Sequence, residues 1–518
     1  MRLLILSVLS LHAHVINEGV NCQFIVSLQL GYISPEPMKK SKLVIIGAGA
    51  AGIAAATKLV TNGFDNFVLL EAENRIGGRV HTIPFENKSI DFGAQWVHGQ
   101  KGNPVYDMAK EFNLVQDEFP DFFGSLSFNS SHSPIDRESS VQLFKMVHEI
   151  MGDDEAMEKH DGSLGDYVRD RLKKDLTNHS QLSHLLSTPL FDQVIEFFGK
   201  WENTIDGSDS WFETSAKGSL QFVKLEGCST TTWKTGGYSN AFKLMMKQMP
   251  GQTPIDLSKQ IILNKEVDKI NWEDPHNVIV TCKDGSDYFT EKVLSTVSLG
   301  VLKSKSELFA PPLPSWKTNA IQGLFIGTVD KIFIKFPHKW WPDNNLGFNL
   351  FWTKEDEKTL FSDIGGVNDK PWVMDVVGFY LTTQDPLTYL GWITGPSARY
   401  MESLSDEQVS IDTMKLLRHF LGNNYTIPDP VRVLKSSWGT NPHFRGSYSC
   451  RSLTTEKLNA SAAELGAPVE NSQGKPVLLF AGEATHPRFF STVHGAIESG
   501  WREADRVLKS DQQPHGTR

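Results

Sequence analysis

One short stretch limits the fold more than anything else in the chain. Leu43-Val44-Ile45-Ile46 is an apolar run with the character of a buried strand, and it leads directly into Gly47-Ala48-Gly49-Ala50-Ala51-Gly52. A helix is expected from Ala50 to Asn62, ended by Gly63, and Phe67-Val68-Leu69-Leu70 reads as a second strand closing on Glu71. Each glycine has a separate physical task. Gly47 permits the tight turn, Gly49 lets the backbone approach a pyrophosphate, and Gly52 lets the helix pack on the strand. The helix N-terminus then offers free N–H groups and a positive dipole end to the phosphates. Glu71 stands nineteen residues after Gly52, where a carboxylate can accept hydrogen bonds from an adenosine ribose. An acid at that position suits a free ribose hydroxyl, so FAD or NAD is favoured over NADP. Strand, glycines, helix, strand and terminal acid in this order make a dinucleotide fingerprint of an α/β, Rossmann-like domain rather than a glycine-rich turn.

Just beyond lies Arg75-Ile76-Gly77-Gly78-Arg79-Val80-His81-Thr82. Gly77 and Gly78 would bring backbone close to a phosphate, and Arg79 could clamp it through its planar fork. This string resembles the second glycine motif of the flavin-containing amine oxidases, and with it the expected cofactor moves from NAD to FAD. The resemblance continues in the family's order through Asp91-Phe92-Gly93-Ala94-Gln95-Trp96-Val97-His98-Gly99, Leu479-Phe480-Ala481-Gly482-Glu483-Ala484-Thr485-His486 and Ser491-Thr492-Val493-His494-Gly495-Ala496. Two more segments are similar to the polyamine oxidase branch, which includes the spermine and acetylpolyamine oxidases. They are Gly327-Thr328-Val329-Asp330-Lys331-Ile332-Phe333 and the run from Ser437 to Ser449. The likeness spans roughly residues 42–508.

What the resemblance implies is specific. Lys331 corresponds to a flavin-side lysine that, as a buried neutral amine, would hold a water at the flavin N5. Its run from Val329 to Phe336 alternates, with Ile332, Ile334 and Phe336 on one face. His98 occupies the position of a histidine that can hydrogen-bond the substrate amine. Tyr448 is the aromatic wall facing the flavin, and Thr492 the opposite wall, smaller than the tyrosine of monoamine-type members. Glu202 resembles the tunnel acid that receives a distal ammonium. Val267 would offer its backbone to the adenine, Glu483 would meet the pyrophosphate side, and Val493 would present its N–H to the flavin pyrimidine edge. No cysteine lies between 451 and 518, so the FAD is expected to be non-covalent. The reaction implied is hydride transfer from the carbon beside an amine nitrogen to flavin, with O2 reduced to H2O2 and the imine hydrolysed to an aldehyde and a shorter amine.

Because the flavin motifs stand at the start, middle and end, the FAD-binding domain, glutathione-reductase-like in type, is expected to be discontinuous. It takes 42–110, 232–306 and 430–510, interrupted by an α+β substrate-binding domain at 111–231 and 307–429. Helices are expected at Val141–Met151 and Leu164–Leu176, and strands at Val278–Cys282 and Lys292–Val297 around a turn at Lys283–Ser286. With 51 basic against 61 acidic side chains, the net charge of -10 argues against duplex nucleic acid as partner. It suits a small polycationic amine. Met1-Arg2 followed by Leu3 to Leu11 has signal-peptide length, while the poor cleavage pattern equally fits an ordinary leader. Residues 1–41 are thus a leader of secreted or cytoplasmic character and 511–518 a tail. Cys22, Cys228, Cys282 and Cys450 are spread without metal-type spacing, and no metal site is expected. An amino-acid or monoamine oxidase on the same fold, or a silent flavin-binding scaffold, are the competing readings. The first of these demands a buried arginine for the substrate carboxylate, which the sequence does not identify.

Overall fold

A computed structural model describes residues 39–117, 125–132, 135–354, 356 and 360–512. The leader with its signal-peptide reading, Cys22 and the tail from 513 lie outside the described residues. The fingerprint sits at the centre of a nine-stranded sheet. Its strand, Lys39–Ile46, pairs in parallel with Phe67–Leu70, which pairs in parallel with Ile261–Ile262. On the other side lies Asp287–Ser295, whose first half closes a hairpin with Val278–Cys282 and whose last residues run parallel to Pro476–Phe480. Leu43, Val44, Ile45, Leu69, Val293, Leu294, Leu478 and Leu479 are all fully sealed from solvent, as a sheet covered on both faces requires. The helix Ala50–Thr61 packs along the last helix, Val493–Gln512. Their approach is as close as backbones allow, since a Cβ on Gly500 would lie 2.1 Å from the Ala51 carbonyl oxygen.

A second, six-stranded sheet runs in the order Arg432–Lys435, Val329–Lys335, Thr388–Thr394, Gly378–Leu381, Gly347–Phe351 and Leu126–Asn129. The expected alternation in the Lys331 strand is present: Ile332, Ile334 and Phe336 pack with Leu416, Leu417 and Phe420 of the helix Asp406–Leu421. Elsewhere in the sheet, Phe351 and the neighbouring Val377 meet Val194, Phe197 and Phe198 of the helix Pro189–Asp206.

Two expected domain boundaries shift. Phe309–Ala310 pairs in the large sheet with Val267–Asn271, beyond the boundary expected at 307. Arg432–Lys435 pairs in the small sheet with Val329–Lys335, beyond the return to the FAD side expected at 430. In each case the strand pairs before the chain changes sheets, a register that local composition does not encode. The helix expected from Val141 begins at Arg137, because Asp136 caps it by accepting the Ser139 N–H at 2.8 Å. The strand expected at Lys292–Val297 ends at Ser295, where Thr296 turns its N–H and hydroxyl to the Ile46 carbonyl.

Candidate active site

The fingerprint turn is built by sterics. Gly47 has φ +101°, and a Cβ on Gly52 would lie 1.9 Å from the Gly47 carbonyl oxygen. Gly49 differs, since the nearest atom to its would-be Cβ is Gly77 O at 4.0 Å. As the N-cap of the helix Ala50–Thr61 it brings no capping side chain, so the first-turn N–H groups stay open to an anion. The second glycine pair closes on the first: Gly77 N–H donates to Ala48 O at 2.9 Å, and a Cβ on Gly78 would sit 3.3 Å from Gly49 Cα. A turn without side chains, ending in uncapped donors, is what a dinucleotide pyrophosphate needs.

Glu71 is buried, and its two oxygens accept the backbone N–H groups of Ala48 at 2.7 Å and Glu73 at 2.8 Å. Its first task is therefore to brace the glycine turn, and any ribose contact uses the lone pairs left over. Burial pushes this carboxyl above its ordinary pKa. Val267 lies at the same end, because Lys265 N–H donates to Glu71 O at 2.8 Å just ahead of it.

Arg79 and Glu483, 404 residues apart, meet at 2.9 Å. The same Arg79 Nη1 donates to Ser447 O at 2.7 Å, while Glu483 also accepts the Ser449 hydroxyl and the Ser491 N–H. The free phosphate clamp expected at Arg79 is thus half committed to the protein. Both residues line a crevice with Thr296, Val297 and Gly482. Thr492 accepts the Gly495 N–H at 3.0 Å and donates to Phe489 O at 2.7 Å. Its hydroxyl caps the last helix, directly before Val493, and is not free for a reacting group. Ser491 donates to Ser449 O, which brings this turn beside Tyr448.

Lys331 is buried, and its Nζ reaches Asp91 O at 2.8 Å, Gly93 O at 2.8 Å and Gln95 Oε1 at 2.9 Å. It also lies 4.9 Å over the Trp392 ring, which stacks on Trp96. These three acceptors occupy every hydrogen of an ammonium, so the expected water would have to displace one of them. Burial lowers the Lys331 pKa to about 7, close enough to neutrality for the amine to surrender one contact.

His98 stands three residues beyond Gln95. Its Nδ1 donates to Ser229 O at 2.8 Å, which leaves Nε2 with a lone pair, and burial keeps the ring neutral by lowering its pKa. Asn103 holds the His98 carbonyl at 2.9 Å and the ring of His494 at 3.4 Å.

Tyr448 donates its hydroxyl to Thr204 O, and its ring lies against Gly207, where a Cβ would come within 2.6 Å of Cδ2. Gly207 ends the helix Pro189–Asp206 in the left-handed region at φ +71°. Glu202, one turn earlier, is buried with no hydrogen bond to its carboxyl among the described residues. Burial and the neighbouring Asp206 push its pKa well above the usual carboxylate range. So the structure gathers Tyr448, Glu202 and the Thr492 turn on one side, and ties Lys331 to the segment carrying His98 on another.

The sequence matches the flavin containing amine oxidoreductase family over residues 50–508. The chain belongs to this family. It is a flavoprotein that uses FAD, and the uncapped glycine turn fits that group. Among curated relatives it is 29% identical to the peroxisomal N(1)-acetyl-spermine/spermidine oxidase of Homo sapiens, over 90% of this chain and 94% of the relative. It is 30% identical to a protein described as probable polyamine oxidase 5 of Arabidopsis thaliana, over 91% of this chain and 98% of that one. A putrescine oxidase with a redesigned cofactor site shares the fold at a TM-score of 0.65 and 17% identity, covering 91% of this chain and all of its own. No helix among the described residues is long and apolar enough to cross a membrane.

Asp206, Gln95 and Asn103 escaped the sequence reading. Asp206 had a usable signal, an acid four residues after Glu202 on the same helix. Asn103 had one too, an Asn directly before Pro104 at a helix start, where it caps Pro104–Lys110 by accepting the Val105 and Tyr106 N–H groups. Gln95 had none, since its partner Lys331 lies 236 residues along the chain.

Proposed function

We propose that this flavin amine oxidoreductase oxidises polyamines: spermine, spermidine or their acetylated forms. The observation that carries the reading is Glu202, a buried carboxyl with no cation bonded to it, on the helix whose end walls Tyr448. A buried acid without a partner is costly unless a ligand brings the opposite charge. The relatives named for polyamines support the same reading. FAD, expected to be held without a covalent link, would supply the hydride acceptor and, in turn, the two electrons that reduce O2 to H2O2.

The protein's own groups do the rest. The first-turn N–H groups after Gly49 and the Arg79 guanidinium would hold the pyrophosphate, Glu71 and Val267 the adenosine, and Val493 the flavin edge. His98 accepts a hydrogen bond or proton from the substrate nitrogen at Nε2, so that the amine reacts with its lone pair available. Lys331 anchors the segment from Asp91 to Gln95 that presents His98, and near neutrality its amine can hold a water. Tyr448 shapes the apolar wall beside the reacting carbon.

A peroxide-release panel tests this: spermine, spermidine, an acetylated polyamine, a monoamine and an L-amino acid, with products identified. Peroxide from polyamines is expected, and activity confined to the L-amino acid overturns the reading. One observation keeps that competitor on the panel. Arg451 is 1% exposed, stacked 3.8 Å over Phe490, and neither of its Nη groups has a hydrogen-bond partner among the described residues.

A further inference from the structure

The last turn of the helix Pro189–Asp206 carries an arrangement that weakens the folded protein by itself. Glu202 and Asp206 are one turn apart on the same face, so their charges repel. They stand at the C-terminal, negative end of the helix dipole, where cations and not anions are favoured. Glu202 is 6% exposed with no hydrogen bond or ion pair to its carboxyl among the described residues, and the Asp206 Oδ2 atom is sealed from solvent without a partner. Among the described residues Lys224 is the one cation that acts on both, and it stands exposed without an ion pair to either. Repulsion, dipole and burial all press the same way, and among the described residues only the distant charge of the exposed Lys224 works against them.

Resting on the polyamine reading above, we propose that Asp206 joins Glu202 in a carboxyl pair that receives one unmodified ammonium group of the substrate and rejects an acylated nitrogen at that place. An ammonium offsets all three costs together. It supplies three donors to carboxyl oxygens that have none, it separates the two negative groups, and it adds positive charge at the helix C-terminus. An acetamide supplies one N–H and no charge, so two desolvated carboxyls would remain uncompensated. Tyr448 sets the reach of the subsite, because its ring rests on Gly207, the residue after Asp206, and Asp206 is close enough to raise its phenol pKa. Asp206 is thereby a specificity-determining residue, distinct from the groups that act on the reacting carbon.

The test uses the FAD-loaded enzyme and its Asp206→Asn and Glu202→Gln variants, with spermine and spermine acetylated on both terminal nitrogens. The wild type is expected to prefer free spermine in kcat/KM by at least tenfold. Asp206→Asn should reduce that preference about tenfold, through KM for free spermine, and leave kcat/KM for the bis-acetylated compound within twofold. Asn keeps the shape of Asp and removes only the charge, so its melting temperature should rise or hold. An unchanged preference in a stably folded Asp206→Asn enzyme overturns the inference, as does a wild type that uses both compounds equally. A lower melting temperature with unchanged preference makes Asp206 a structural residue and overturns it too. Peroxide from no amine at all would instead overturn the polyamine reading beneath it.

Discussion

The fingerprint turn and the end of the helix Pro189–Asp206 solve opposite problems. Around Gly47–Gly52 the buried carboxylates are answered from inside the protein: Glu71 by Ala48 and Glu73, Glu483 by Arg79, Ser449 and Ser491. Around the buried Glu202 and the half-buried Asp206, whose Oδ2 is sealed from solvent, the carboxyls are left unanswered among the described residues. A permanently held cofactor can be met by a finished surface whose strain is nil when full. A substrate that comes and goes is better met by groups whose cost falls only when it arrives. The first region is thus governed by shape and the second by unbalanced charge.

The sharpest way to break this contrast is in the turn. Gly52→Val should leave less than about a tenth of the wild-type flavin per chain, read from flavin absorbance against protein, because its Cβ collides with backbone that cannot yield. Full flavin content would show that shape does not govern this side. Next in size, Lys331→Met should keep FAD bound and slow kcat about a hundredfold. Unchanged reductive and oxidative half-reactions would reduce Lys331 to a tie for the Asp91–Gln95 segment. Glu483→Gln removes one charge from a finished network, and its FAD Kd should rise about tenfold. No change in Kd would mean that the Arg79 contact contributes nothing to the cofactor site.

The smallest effect falls on stability. Burial, only partly countered by the Lys224 charge, raises Asp206 from 3.8 to about 7, so the folded state binds more protons than the unfolded state between those values. Stability from this group is whole below about pH 4 and is lost as pH rises through 7. Asp206→Asn escapes that loss, so its melting temperature should match wild type at pH 4 and exceed it by roughly 1–2 °C at pH 8. An advantage that shrinks as pH rises would contradict unbalanced charge as the organising feature of this region.

How much could be read from the chain alone follows from where each partner lies. The fingerprint was legible because its requirements are local: a Cβ at Gly52 meets Gly47, five residues away. The Lys331 strand was legible from its alternation, which needs only a pleat and one apolar face. By contrast, the same lysine's three acceptors come from residues 236 to 240 positions earlier, and the Arg79–Glu483 pair spans 404. No pattern in either segment names the other. Thr492 illustrates the same limit in reverse, since its place near the flavin motif was evident but its capping task appeared only with the start of the last helix.

Spacing, turn sterics and periodicity were therefore enough to point to a dinucleotide-binding α/β core, because these are properties of neighbours along the chain, and the flavin family came from the likeness of its motifs to known members. Which donors are already spent, as at Lys331 and Arg79, and which acids stand without a partner, as at Glu202 and Asp206, was decided by packing between distant segments. Charge and hydrogen bonding act through space, and only the folded chain says what lies across that space.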